Sequence, residues 1–365
     1  SAEVVGEAKA AGGDAGAGSA GGKASKAASL EPTPAAEAST ADESGKLLRC
    51  NRGKDLREKK NGKTKWVLED AKEVEELIVL VKEQMEKETE GQLHSKLFNK
   101  DFKKQVDGIK ELTAFAPQHA PEVIDNLDLL LRMCSLRMVQ KSCNTSVLLA
   151  VLELLKALTD LCVANTYYLT ESEAAVILPV LLQEMGSNNE SIRGQMREVV
   201  KKTTQVYPAS KMFSFAMDAA LSTRNQRSKA EVLAEMAALV DRLGLDQVCV
   251  PCKALPMMAS MIGERDSLVR NAACDFFAAA YSSIGDKIWK YIDKKLEPKD
   301  KDILEARLKK VKNVPPAAAP AAKQAAAADV RRSMPEMAAA EKAAPAVRAS
   351  VNLEAVRTME TPQRG

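Results

Sequence analysis

The chain has 365 residues, 45% of them hydrophobic but only 4% aromatic, and a net charge of +3. That charge is too small to argue for nucleic acid from bulk electrostatics, and no apolar run approaches the ~20 residues of a membrane span. The seven cysteines are odd in number and irregularly spaced (Cys50, Cys134, Cys143, Cys162, Cys249, Cys252 and Cys274), which suits a reduced, cytosolic compartment better than a disulfide framework.

Residues 1–46 are almost entirely Ala, Gly, Ser, Glu and Lys and lack the apolar mass to offset the entropy of ordering, so they read as disordered. Within them GAGSAGGK (16–23) loosely resembles a phosphate-binding loop. Ala17 and Ala24 stand where Gly and Ser or Thr are needed, and no strand precedes it. Residues 47–65 carry eight Lys and Arg against Asp55 and Glu58. This basic run is either a solvated linker or an electrostatic contact with an acidic surface, and it closes a non-globular region, 1–65. The start at Ser1 rather than Met suggests a piece of a longer protein.

Residues 66–312 are expected to form the folded domain. From Ala71 the apolar residues recur at helical spacing, as in Val74, Leu77, Ile78, Val81 and Met85. A polar loop ending in Asp or Asn then recurs, each time followed at once by an amphipathic run: at Asp101, Asn144, Asn189, Asn225 and Asp266, spaced 43, 45, 36 and 41 residues apart. Asp and Asn are preferred helix N-caps, so each mark should start a helix. Between the marks lie further helices, over 123–138 and 170–185. The second opens with a capping box, Thr170 to Glu173, and should continue past Pro179 with a kink. Residues 313–365 return to Ala/Pro-rich low complexity, read as a disordered tail with a short helix around 351–359.

Two helices per ~40 residues, repeated at least five times, describe an all-α solenoid of HEAT or armadillo type. If the repeats stack in register, the five capped loops share one edge, and solenoids bind along such edges. This edge is basic: Lys100, Lys103 and Lys104 belong to the first loop, Arg193 and Arg197 to the third, Arg224, Arg227 and Lys229 to the fourth, Arg265 and Arg270 to the fifth. Helix N-termini add positive charge in the same direction. Phe102 supplies an aromatic at one end. The edge is thus either a binding surface for an acidic protein or simply solvated, and Phe102 is either an anchor or a packed core ring.

The segments DNLDLLLRMCSLRMV (125–139), YYLTESEA (167–174), VYPASKMF (206–213) and GERDSLVRNAA (263–273) resemble a TOG domain. The family is that of the ch-TOG-type microtubule polymerases, and the match is best to the fourth domain of their arrays. The resemblance covers roughly residues 65–310. It implies about six HEAT repeats that bind tubulin or the microtubule lattice through the loops inside each repeat. By position, the contacts fall on Phe102, with Lys103 beside it, then Asn144, Thr145 and Val147, then Arg193. They continue with Asn225, Arg227 and Lys229, and end with Arg265, Arg270 and Asn271. Tubulin-binding members often carry Trp at the first position. The Phe here implies a weaker or lattice-directed contact. The resemblance also implies further TOG domains in the full protein, a role in microtubule polymerisation, and a place on cytoplasmic microtubules, at spindle poles or the centrosome.

Little suggests chemistry. Cys249 and Cys252 form a lone C-x-x-C, and the only histidines are His94 and His119, so a structural reading is favoured over zinc. Pro251 is expected in an inter-repeat turn. No nucleophile–base arrangement is visible, and no enzyme activity, cofactor, metal, membrane or nucleic-acid partner is expected. A HEAT scaffold for another acidic protein is the rival reading.

Overall fold

The computed structural model describes residues 46–61, 66, 68, 71–140 and 143–312. The expectations for residues 1–45 and 313–365 lie outside them. The described residues hold sixteen α-helices and no strand: α1 (Lys54–Asn61), α2 (Ala71–Glu88), α3 (Leu93–Leu97), α4 (Phe102–Phe115), α5 (Ala120–Asp125), α6 (Leu127–Val139), α7 (Thr145–Ala164), α8 (Glu171–Glu184), α9 (Glu190–Thr203), α10 (Ala209–Ser222), α11 (Gln226–Leu243), α12 (Leu245–Val248), α13 (Pro251–Met258), α14 (Ser267–Ile284), α15 (Trp289–Ile292) and α16 (Pro298–Lys312).

Apolar spacing explains both the helices and their stacking. In α2, Val74, Leu77, Val81 and Met85 turn inward while the Glu-rich face stays wet. In α7, Val147, Val151, Leu154, Leu155, Leu158 and Leu161 form one buried stripe. The long helices fall in two rows. In the first row α6 packs on α2 and α8, and α8 on α10. In the second, α7 packs on α4 and α9, and α11 on α14. Contacts of α6 with α7, α8 with α9 and α10 with α11 join the rows into successive pairs, the arrangement of an α-solenoid. A single apolar cluster runs from Leu48 to Leu308. The capping box at Thr170 and Glu173 is formed, and α8 continues through Pro179.

Three local expectations need correction. The helix expected over 123–138 breaks at Asn126, which is 1% exposed. Its side-chain amide donates to the carbonyls of Arg49 at 2.7 Å and Glu122 at 2.9 Å, pinning the corner between α5 and α6. Pro251 opens α13 instead of sitting in a turn; the first helical position needs no N–H bond, so proline fits it.

The third correction is the largest. The described part of the basic run, residues 47–61, is docked on the solenoid. Leu48 is 1% exposed, and the backbone pairs Arg49 N to Glu88 O (2.8 Å) and Glu90 N to Leu47 O (2.9 Å) hold it against the end of α2. Asp125 then accepts from the N–H groups of Asn51 and Arg52. From α1, Arg57 reaches Glu88 and Asp128, both at 3.0 Å, and Lys54 reaches Glu173 at 2.5 Å. All five side chains are nearly buried. Buried charges persist only when paired, and these cations are paired by residues far along the chain.

Candidate functional site

Five loops lead into the second-row helices, and each ends in the residue that caps the helix. The side chain of Asp101 accepts from the N–H of Lys103, Asn144 from Ser146, Asn189 from Ser191, Asn225 from Arg227 and Ser228, and Asp266 from Leu268. Each bond satisfies a backbone donor that the helix start leaves orphaned. The five polar marks in the sequence are therefore five caps.

Around the caps runs a stitch that the sequence reading missed. Two residues before the cap, a short polar side chain accepts from the cap's own N–H: Asn99 at 3.0 Å, Ser187 at 3.4 Å and Thr223 at 3.3 Å. Four residues after the cap, a long polar side chain folds back on the loop carbonyls. Gln105 donates to Asn99 O at 2.5 Å, Arg193 to Ser187 O at 2.6 Å and Asn188 O at 3.2 Å, and Arg270 to Glu264 O at 2.9 Å and Arg265 O at 2.8 Å. The legible signal was a small polar residue two before the cap or a Gln or Arg four after it, with both present at the first and third loops.

Neighbouring loops are also tied to each other. Arg227 donates to Asn188 Oδ1 at 2.9 Å, and Lys229 pairs with Glu264 at 3.0 Å. Ser228 Oγ accepts from Gly186 N at 3.1 Å and donates to Gln183 O at 2.6 Å. Gly186 is required there, since a Cβ would stand 2.5 Å from the Ser228 backbone nitrogen. Arg197 is doubly bonded to Glu231, which raises its pKa further. A cleft of about 610 Å³ opens between the fourth and fifth loops, lined by Gln226, Ser260, Gly263, Glu264, Arg265 and Asp266.

No protein-family model matches the chain. Over 214 residues it is 36% identical to Protein MOR1 of Oryza sativa subsp. japonica, across 59% of this chain and 10% of that protein. Over 270 residues it is 30% identical to Protein mini spindles of Drosophila melanogaster, across 73% of this chain and 13% of that protein. The solved TOG domain of Zyg9 from C. elegans superposes with a TM-score of 0.67 at 28% identity, over 73% of this chain and 98% of that one. A second solved structure, concerned with TOG–tubulin binding specificity in microtubule dynamics and mitotic spindle formation, gives 0.66 at 29%, over 72% and 99%. This chain carries a TOG domain of the MOR1 and Mini spindles family. It spans about a tenth of the length of those two relatives.

On the TOG domain's capped edge the candidate residues separate by burial. Phe102 (40% exposed), Lys103, Asn144, Thr145, Asn225, Arg227, Arg265 and Asn271 face solvent. Asn144 and Asn225 commit their side-chain oxygens to capping. Val147 does not belong to the surface: it is 0% exposed and part of the core of α7. Lys229 is 7% exposed and neutralised by Glu264, so it is a tie between loops and not a free cation. Arg193 and Arg270 are half-buried and hold loop carbonyls, so they shape the edge. Lys100, Lys103, Lys104, Arg224 and Arg265 are exposed and form no ion pair among the described residues. Leu268, apolar and so without a charge or ring to mark it in the sequence, is 53% exposed beside the fifth cap. Among the described residues no cluster of His, Cys, Asp and Glu could hold a metal.

Proposed function

We propose that the TOG domain binds tubulin through its capped edge, as a module of a longer microtubule-associated protein with further TOG domains. The observation that carries this is a set of exposed cations without an ion pair among the described residues, Lys100, Lys103, Lys104, Arg224 and Arg265, on the first, fourth and fifth of five preshaped loops, with Phe102 exposed at the first. The related solved structure concerned with TOG–tubulin binding supports the choice of partner. An acidic protein surface complements such a row, and charge complementarity steers and registers the encounter. The role is binding, not catalysis, and it places the protein on microtubules and the spindle, contributing to their assembly and dynamics. Phe in place of Trp at the first loop favours a weaker grip on free tubulin than on the lattice.

Gel filtration with soluble tubulin and co-sedimentation with microtubules, each across a salt series, test this reading. Association with one or both is expected, weakening as salt screens the exposed charges. A folded chain that associates with neither form at low salt would overturn it.

A further inference from the structure

The five caps place equivalent residues in equivalent positions along the edge. The residue whose N–H each cap captures is Lys103, Ser146, Ser191, Arg227 and Leu268 in turn, and all five are exposed. Only the last is apolar. At the position before it stand Phe102, Thr145, Glu190, Gln226 and Ser267, of which only the first is apolar. The row of cations is therefore bounded by one uncovered apolar side chain at its first loop and one at its fifth. Leu268 is the more exposed of the two, at 53% against 40%.

The surroundings of Leu268 are those of a contact. Its backbone is held by Asp266 at 2.7 Å, and the loop before it is held by Arg270, so the side chain is presented from a fixed frame. Arg265 and Asn271 are exposed nearby in sequence. The adjoining cleft is lined by Gln226, Ser260, Gly263, Glu264, Arg265 and Asp266. The other well-exposed apolar residues of this region, Val250 and Met257, belong to helix α13, which packs on α10, and to its cap, not to a capped loop of the edge.

We propose that Leu268 is a second apolar anchor of the tubulin-binding edge, so that the acidic partner is gripped by an apolar side chain at each end of the cation row. This rests on the tubulin reading and adds a residue and a mode to it. Apolar contact is not screened by salt, whereas the cation contacts are. The two contributions can therefore be separated.

The test uses the full 365-residue chain. Wild type, Leu268→Ala, Leu268→Met and Arg265→Ala are titrated against soluble tubulin and against microtubules at low and raised salt, with a thermal melt of each. Leu268→Ala should weaken binding roughly tenfold at both salt levels, while Leu268→Met retains it and both melt like wild type. The Arg265→Ala loss should shrink as salt rises. Wild-type binding that Leu268→Ala leaves unchanged would overturn the anchor while sparing the tubulin reading. A lowered melting temperature for Leu268→Ala would also overturn it, by showing the side chain to be structural. A wild type that binds neither form would remove the tubulin reading itself and the anchor with it.

Discussion

Phe102 stands in the first turn of α4, one residue after its cap, with 40% of its surface in water. Phe213, Phe276 and Phe277, by contrast, are buried and touch across the core. Truncating a core ring costs ~3–5 kcal/mol; at Phe102 the cost should stay below about 1 kcal/mol. Phe102→Ala is expected to weaken tubulin binding with little change in melting temperature. Phe102→Trp should tighten it, because indole buries more area and adds an N–H donor. A large fall in melting temperature for the Ala variant, without tighter binding for the Trp variant, would place the ring in the core. The burial pattern around four of the five caps follows helix geometry: Val147, Ile192, Ser228 and Val269, each three residues after its cap, are buried, whereas Lys104 at the first cap is exposed. Successive helical residues are turned ~100° apart, so the outward positions are the two just after the cap.

At the scale of elements, α1 is a short, strongly basic helix that would be marginal by itself. Its order comes from acidic side chains on the end of α2, on α6 and at the start of α8. Arg57→Ala would leave Glu88 and Asp128 buried without that cation, a change worth ~3–5 kcal/mol in comparable sites. Arg132, which also reaches Asp128 at 3.4 Å, should hold the loss near the lower end. Urea unfolding of Arg57→Ala beside Lys60→Ala, on the exposed side of the same helix, checks this. Equal midpoints for both variants and wild type would mean that α1 contributes nothing to the fold. The loops obey a similar logic. Arg193 and Arg270 stabilise loop shape through carbonyls, so their removal acts on the edge indirectly, by loosening what their neighbours present.

Across the whole molecule one apolar cluster joins the successive pairs, so each pair is stabilised by its neighbours. The cysteines sample that stack. Cys134, Cys162 and Cys274 are buried in α6, α7 and α14, while Cys50 and Cys252 are exposed. Burial pushes the thiols of Cys134 and Cys162 up to about 12, so at pH 7–8 both stay protonated as well as shielded. A thiol reagent should label Cys50 and Cys252 quickly, because both are exposed. Cys134, Cys162 and Cys274 should label only as denaturant unfolds the helices. Fast labelling of Cys134 with helicity intact would show that the stack opens locally around α6.

The helices, their ~40-residue recurrence, the five caps and the capping box were all legible in the sequence. Each is a short-range feature: a cap acts on an N–H two or three residues on, and an amphipathic stripe is set within a few turns. The basic edge was legible as composition, and most of its exposed members were named from spacing. The fate of each charge was not. Lys54 meets Glu173, Arg57 meets Asp128 and Lys229 meets Glu264, partners 119, 71 and 35 residues away that only the stacking of repeats brings together. The same long-range contacts turned an expected linker into a docked helix and broke a helix at Asn126, where the side chain bonds to Arg49. Local sequence determined which segments are helical and where they begin. Tertiary packing decided which cations are exposed and which are consumed in holding the fold, because a charge is stabilised by whatever the fold places within a few ångströms of it.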